Sequence, residues 1–312
     1  MEIFIDVGLF ILGFIILIAG ANYFVEYTVL FGRKLRVSEL TIGLTVAAMG
    51  TSLPELTVSA TAAIKGTSEI AIGNVVGSNI FNILFILAIS AFITPIIVSF
   101  GAVKKDIPIM IIVTLILFLL GLDGKISFID GTILIGSFLV YIIYLIMQGK
   151  KNADNYTMTF DERPSHNVFF IIAMTIVGLS LVILGSKLAV DNAADIARYL
   201  GVSERVIGLT LIAAGTSMPE LITSIVAAKN GKNDLAVGNI VGSNIFNIIC
   251  ILGVIGVISP IRITPHDLID IGISLAAGVV LLMVVYKDYI IGRLDSVVML
   301  GCYLLFMAYV VM

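Results

Sequence analysis

Residues 38–87 recur at 203–252 without a gap, at a constant offset of 165 and with 30 of 50 positions identical. Self-similarity at a fixed offset restricts a fold more than any single-residue preference, because each copy must take the same local structure and the two must find a common core. The first copy carries GTSLPE (Gly50 to Glu55) and GNVVGSNIFN (Gly73 to Asn82). The second carries GTSMPE (Gly215 to Glu220) and GNIVGSNIFN (Gly238 to Asn247). Each copy sets a carboxylate, a proline and several hydroxyls within strongly apolar sequence, a placement that is costly unless those groups meet charge.

The setting is a membrane. Of 312 residues, 59% are hydrophobic and 12% charged, where a soluble domain has about 25% charged. Ten apolar runs are long enough to span as helices: 5–30, 40–64, 69–96, 105–121, 127–148, 167–196, 205–229, 235–259, 267–286 and 293–311. The expected fold is all-α, a multi-pass protein in the cell membrane. It forms one integral domain made of a first five-helix repeat (1–148), a linker (149–166) and a second five-helix repeat (167–312). The acidic flank at Glu2 and Asp6 makes the first run a spanning helix rather than a leader.

Lysine and arginine fix the expected orientation. Loops on one side carry twelve, including Arg33, Lys34, Lys104, Lys105, Lys150, Lys151, Lys232 and Lys287; loops on the other carry five, Lys65, Lys125, Arg198, Arg205 and Arg262. The richer side is cytoplasmic, which puts the linker in the cytoplasm and both termini outside. Five spans separate equivalent positions, and an odd number reverses direction. The repeats are therefore expected to be inverted, as in secondary transporters whose site lies at the midplane. The match continues weakly into spans one and six, where Gly13 answers Gly178, Gly20 answers Gly185, and Glu26 stands opposite Asp191.

The two motifs have separable chemistry. Pro54 lacks an N–H and breaks the helix, and Gly50 eases the bend. Carbonyls freed in a bilayer must meet protein, water or an ion. Ala48, Thr51, Ser52 and Glu55 are three or four apart in pairs and can share a face, as can Ala213, Thr216, Ser217 and Glu220. In the second motif, Gly73/Gly77 and Gly238/Gly242 have the spacing of close helix contacts. Asn74, Ser78 and Asn82 form a polar stripe, repeated by Asn239, Ser243 and Asn247. All these donors are hard oxygens, which suits Ca²⁺, Na⁺ or Mg²⁺ rather than Zn²⁺ or Cu²⁺. Mg²⁺ is disfavoured by its reluctance to dehydrate. Two glutamates are neutralised by one Ca²⁺, two Na⁺ or two protons, so these ions compete for one site.

Other classes have little support. A net charge of −3 with no basic patch argues against nucleic acid. Cys250 and Cys302 sit in apolar segments, and His166 and His266 lack metal-ligand spacing. Without GxSxG, HExxH or paired aspartates in a GxGD setting, no hydrolase and no enzyme is expected. No cofactor and no protein partner is evident; the partners are the transported ions Ca²⁺ and Na⁺ and the lipid bilayer. A cation channel is a distant alternative, since the polar groups gather at one midplane site and not along a filter.

GTSLPE with GNVVGSNIFN, duplicated in a ten-span chain, closely resembles the sodium/calcium exchanger family of the cation/Ca²⁺ antiporter superfamily, in its prokaryotic form. The resemblance implies an electrogenic Na⁺/Ca²⁺ antiporter working by alternating access. It implies Ca²⁺ ligation by Glu55 and Glu220 with the carbonyls of Thr51 and Thr216. It also implies one Na⁺ site at the Ala48 carbonyl, Ser52, Glu55 and Ser243, a second at the Ala213 carbonyl, Ser217, Glu220 and Ser78, and Asn82 and Asn247 lining the centre. Some relatives carry aspartate at the last two positions; both are Asn here, as in the potassium-independent members. The alternative coupling is Ca²⁺/H⁺ exchange through the same glutamates. The short linker leaves no room for large regulatory Ca²⁺-binding domains.

Overall fold

The computed structural model describes residues 2–67, 69–153, 166–202 and 213–311. Helix α1 is Glu2–Leu35. Helix α2 runs through Glu39–Ile42, a π-helical turn Gly43–Ala47 and Ala48–Thr51, and α3 is Leu53–Ile64. Helix α4 runs through Glu69–Phe81, a π-helical segment Asn82–Leu87 and Ala88–Ile93. Helices α5, Ala102–Asp123, and α6, Phe128–Ala153, complete the first half. The second half contains α7 (Val168–Tyr199), α8 (Ala213–Gly215), α9 (Met218–Lys229), α10 (Asn233–Ile258, with a π-helical segment Asn247–Leu252), α11 (Pro265–Asp288) and α12 (Arg293–Val311).

Eight of the described helices are long and apolar enough to cross a membrane. The second expected span is not among them because it is cut at Ser52, where ψ is 9° and Pro54 enters the first turn of α3. The seventh is cut likewise at Ser217 before Pro219, and its leading part, with Arg205, lies outside the described residues. So does most of the linker. Helix α6 runs on to Ala153, past the expected boundary at 148.

Helix ends are set by side chains. Ser38 caps α2 through the N–H of Thr41, Asn167 caps α7 through that of Phe169, and Thr264 with Asp267 forms a capping box on α11. Two short antiparallel ladders join loops from opposite halves, a feature the apolar pattern did not predict. Strand β1 (Ile96–Ile97) pairs with β4 (Ile290–Ile291), and β2 (Lys125–Ile126) pairs with β3 (Ile261–Arg262). At the repeat offset β1 corresponds to β3 and β2 to β4, so each ladder is the counterpart of the other.

Burial sorts the spans. Over their most apolar windows α4 is 72% buried and α10 83%, against 17% for α1 and 11% for α12. The centre is therefore α4 and α10, clasped by the broken helices. Phe4, Ile15, Leu184 and Leu294 on the outer helices are exposed, as lipid-facing residues should be. Helices α1 and α7 cross each other tightly. A Cβ on Gly13 would stand 2.6 Å from the Ala189 nitrogen, one on Gly178 2.6 Å from that of Phe24, and one on Gly185 2.5 Å from that of Leu17. The matched glycines allow the two backbones to touch.

Candidate cation site

The breaks in the two broken helices expose two serines to one another's repeat. A serine ahead of a helix ordinarily accepts from an N–H of the first turn. Ser52 and Ser217 make no such cap. Ser52 Oγ instead donates to Glu220 Oε1 at 2.9 Å, and Ser217 Oγ donates to Glu55 Oε1 at 2.9 Å. Both glutamates are at most 1% exposed. Each carboxylate is thus oriented by a hydroxyl from the opposite half through a strong charge-assisted bond.

Around this pair the expected residues converge. Ala48, Thr51, Ser52, Ser78, Asn82, Ser217, Ser243 and Asn247 are all buried. Ser217 Oγ lies 3.2 Å from Ser78 Oγ, and Ser243 Oγ donates to the Ala48 carbonyl at 3.4 Å. Thr51 Oγ1 donates to the Ala47 carbonyl and to Asn239 Oδ1, both at 3.1 Å. Thr216 is half-buried between α8 and α9, and Ala213 opens α8 at the edge of the described residues. Glu26 and Asp191, matched between the repeats, are exposed.

The polar stripe divides into two functions. Asn74 and Asn239 act as braces: their amides donate to Ser59 Oγ at 2.9 Å and Ser224 Oγ at 3.1 Å, tying α4 to α3 and α10 to α9. Asn82 and Asn247 begin the π-helical segments of α4 and α10. Their amides donate to Asn244 Oδ1 at 2.9 Å and Asn79 Oδ1 at 3.0 Å. Asn79 and Asn244 in turn donate to each other's carbonyls, both at 3.2 Å. This four-asparagine belt was not expected. Asn79 and Asn244 recur in both motifs but sit one position off the stripe, so spacing by four passes over them.

The belt fixes the amide orientations, and among the described residues Glu55 Oε2, Glu220 Oε2, Asn82 Oδ1, Asn247 Oδ1 and the Thr216 hydroxyl oxygen then have no hydrogen-bond partner. A buried oxygen without a donor is costly in protein alone. Two carboxylate and two amide oxygens, with hydroxyls and no nitrogen or sulfur, are a donor set for Ca²⁺ or Na⁺. Among the described residues no cluster of three or more His, Cys, Asp or Glu that could hold a metal ion is found.

Gly238 and Gly242 are closed over by α2, where a Cβ would come 2.7 Å from the Leu40 oxygen and 2.7 Å from the Leu44 Cα. The counterpart of that part of α2 in the second repeat, 203–212, lies outside the described residues. Gly73 and Gly77 line a cavity of about 290 Å³ with Ser78, Asp270, Tyr303 and Phe306. The close-contact expectation thus holds for Gly238 and Gly242.

Known proteins resemble the chain over nearly its whole length. The family described as "Sodium/calcium exchanger protein" matches residues 5–147 and 170–312. The chain is 30% identical to the sodium/calcium exchanger MaX1 of Methanosarcina acetivorans, over 95% of this chain and 96% of that one. It is 36% identical to an uncharacterized membrane protein of Methanocaldococcus jannaschii, over 97% of each. Among solved structures, the sodium-calcium exchanger NCX_Mj soaked with Na⁺ and no Ca²⁺ aligns with a TM-score of 0.85 and 35% identity, covering 98% of this chain and 99% of that one.

Proposed function

The chain belongs to the sodium/calcium exchanger family, and from that premise we propose that it exchanges Na⁺ for Ca²⁺ across the cell membrane by alternating access, electrogenically. The observation that carries the reading is the set of buried, unpartnered oxygens, those of the glutamates held by the reciprocal Ser52–Glu220 and Ser217–Glu55 bonds and those of Asn82 and Asn247 by the asparagine belt. Such a set gains more from a bound hard cation than from protein donors, and two carboxylates balance one Ca²⁺ or two Na⁺.

In this reading the fold has ten spans in two inverted repeats, 1–148 and 167–312, with 149–166 as cytoplasmic linker and both termini outside. The counterpart ladders and the paired hydrogen bonds support a pseudo-two-fold axis in the membrane plane. Ca²⁺ sits between Glu55 and Glu220, with the carbonyls of Thr51 and Thr216. Na⁺ takes flanking positions, one at the Ala48 carbonyl, Ser52, Glu55 and Ser243, the other at the Ala213 carbonyl, Ser217, Glu220 and Ser78. Asn82 and Asn247 line the centre.

In this reading the cavity beside Ser78 is the path to the site from outside. Helices α1 and α7, in glycine contact with one another, slide across the core to switch access. Ca²⁺/H⁺ exchange uses the same two carboxylates and is the second reading. Radiolabelled Ca²⁺ uptake into proteoliposomes separates the two. Uptake driven by an outward Na⁺ gradient and lost in Glu55→Gln is expected; uptake driven only by a pH gradient would move the coupling ion to H⁺.

A further inference from the structure

A second set of unpaired oxygens lies on the face that carries the linker, apart from the site described above. Asp106, near the start of α5, is 1% exposed, and among the described residues neither of its carboxylate oxygens has a hydrogen-bond partner. Gln148 Oε1, near the end of α6, is also buried and unpartnered. Both line a cavity of about 160 Å³ together with Ser38, Thr41, Ser99 and Asp234. These residues come from α2, α5, α6, α10 and a loop, so five parts of the chain converge on one small polar space.

Among the described residues, two nearby cations are engaged elsewhere. Lys232 Nζ bonds Glu39 Oε1 at 2.8 Å, and Lys104 Nζ lies 4.1 Å over the Tyr286 ring. Lys105, exposed to solvent, is the neighbour whose charge acts on Asp106. Two carboxylates, an amide oxygen and hydroxyls in a space this size match a hard divalent cation and offer it nothing soft. None of these groups belongs to the transport site.

We propose that Asp106 and Asp234, with Gln148 and the hydroxyls of Ser38, Thr41 and Ser99, form a second Ca²⁺ site on the linker face. The site is joined to transport through α2. Ser38 caps that helix and Thr41 lies in its first turn, while its far end carries Thr51 and leads into Ser52. A cation held at the start of α2 biases the helix that packs on Gly238 and Gly242, and so biases which side of the core is closed.

Tb³⁺ luminescence excited through tyrosine tests this on the purified full-length protein, which has ten tyrosines and no tryptophan. Tyr141 and Tyr144 are within electrostatic reach of Asp106. A Glu55→Gln/Glu220→Gln protein is expected to keep one Tb³⁺ that Ca²⁺ displaces. Adding Asp106→Asn, or separately Asp234→Asn, is expected to weaken that ion about tenfold or more, because affinity follows ligand charge. Having both variants keeps the test usable if one fails to fold. The proposal is overturned if the double-Gln protein binds no Ca²⁺-displaceable Tb³⁺, or binds one that neither Asn substitution affects. A wrong transport site would look different: the double-Gln protein would keep two such ions, and Asp106→Asn would remove one.

Discussion

Ser52 and Glu220 meet across the two halves of the chain, Oγ to Oε1 at 2.9 Å, and Ser217 meets Glu55 in the same way. Neither half can therefore orient its own carboxylate. One oxygen of each glutamate is satisfied by the other repeat, and the second is left for a cation. Glu55→Gln or Glu220→Gln keeps the shape and removes a ligand charge. Uptake of radiolabelled Ca²⁺ should fall by about a hundredfold or more, a ligand loss of order 3 kcal/mol. The melting temperature in Ca²⁺-free buffer should not fall, since a buried charge has been removed, while the rise that Ca²⁺ confers on the parent protein should disappear. A variant that still transports, or that is still stabilised by Ca²⁺, would remove these residues from the site.

The reciprocity makes a sharper claim about the serines. Ser52→Ala and Ser217→Ala each delete one charge-assisted bond and one hydroxyl ligand in equivalent surroundings. Each should raise the Na⁺ concentration for half-maximal exchange, by roughly three- to thirtyfold for a bond of this class. The two shifts should agree within a factor of about three, the additivity error expected for equivalent independent sites. A strong effect from one serine and none from the other would mean that the two bonds are not functional counterparts.

The repeat made much of this readable before any coordinates. Duplicated motifs in apolar sequence pointed to spans, to breaks at the prolines and to a shared site at the two glutamates, because proline chemistry and burial cost act locally. Three features escaped. The cross-repeat direction of the serine bonds depends on how two halves dock, which no local spacing encodes. The π-helical segments at Asn82 and Asn247 arise where an extra residue is accommodated in a helix packed on all sides, and they look like ordinary helix in sequence. Asp106 fell at the edge of the expected span 105–121 beside Lys104 and Lys105 and drew no reading of its own, whereas the fold leaves it 1% exposed.

The crossing of α1 and α7 yields a prediction about motion. With backbones this close at Gly13, Gly20, Gly178 and Gly185, any larger side chain must separate the helices. Gly20→Val and Gly185→Val should each lower exchange by about tenfold or more, since small-residue contacts in membranes leave no slack. Gly8→Val is the control, because a Cβ there meets nothing within 4 Å. Na⁺-driven uptake should be unchanged in that variant. If Gly185→Val exchanges at the parent rate, the crossing is not where the helices move.

Asp270 lines the cavity proposed above as the entry path. Its Oδ1 is buried without a hydrogen-bond partner, and it lines the same cavity as Ser78, which touches Ser217 at the site. A negative charge at the mouth of an apolar cleft concentrates cations there and speeds their arrival, without contributing to binding deeper inside. Asp270→Asn should therefore raise the Ca²⁺ concentration for half-maximal uptake by roughly two- to tenfold and leave the maximal rate alone. The difference from the parent should shrink as ionic strength is raised with choline chloride, since salt screens steering by a partly solvated charge. A fall in maximal rate that salt does not alter would instead place Asp270 in the moving machinery, and the cavity beside Ser78 would lose its standing as the entry path.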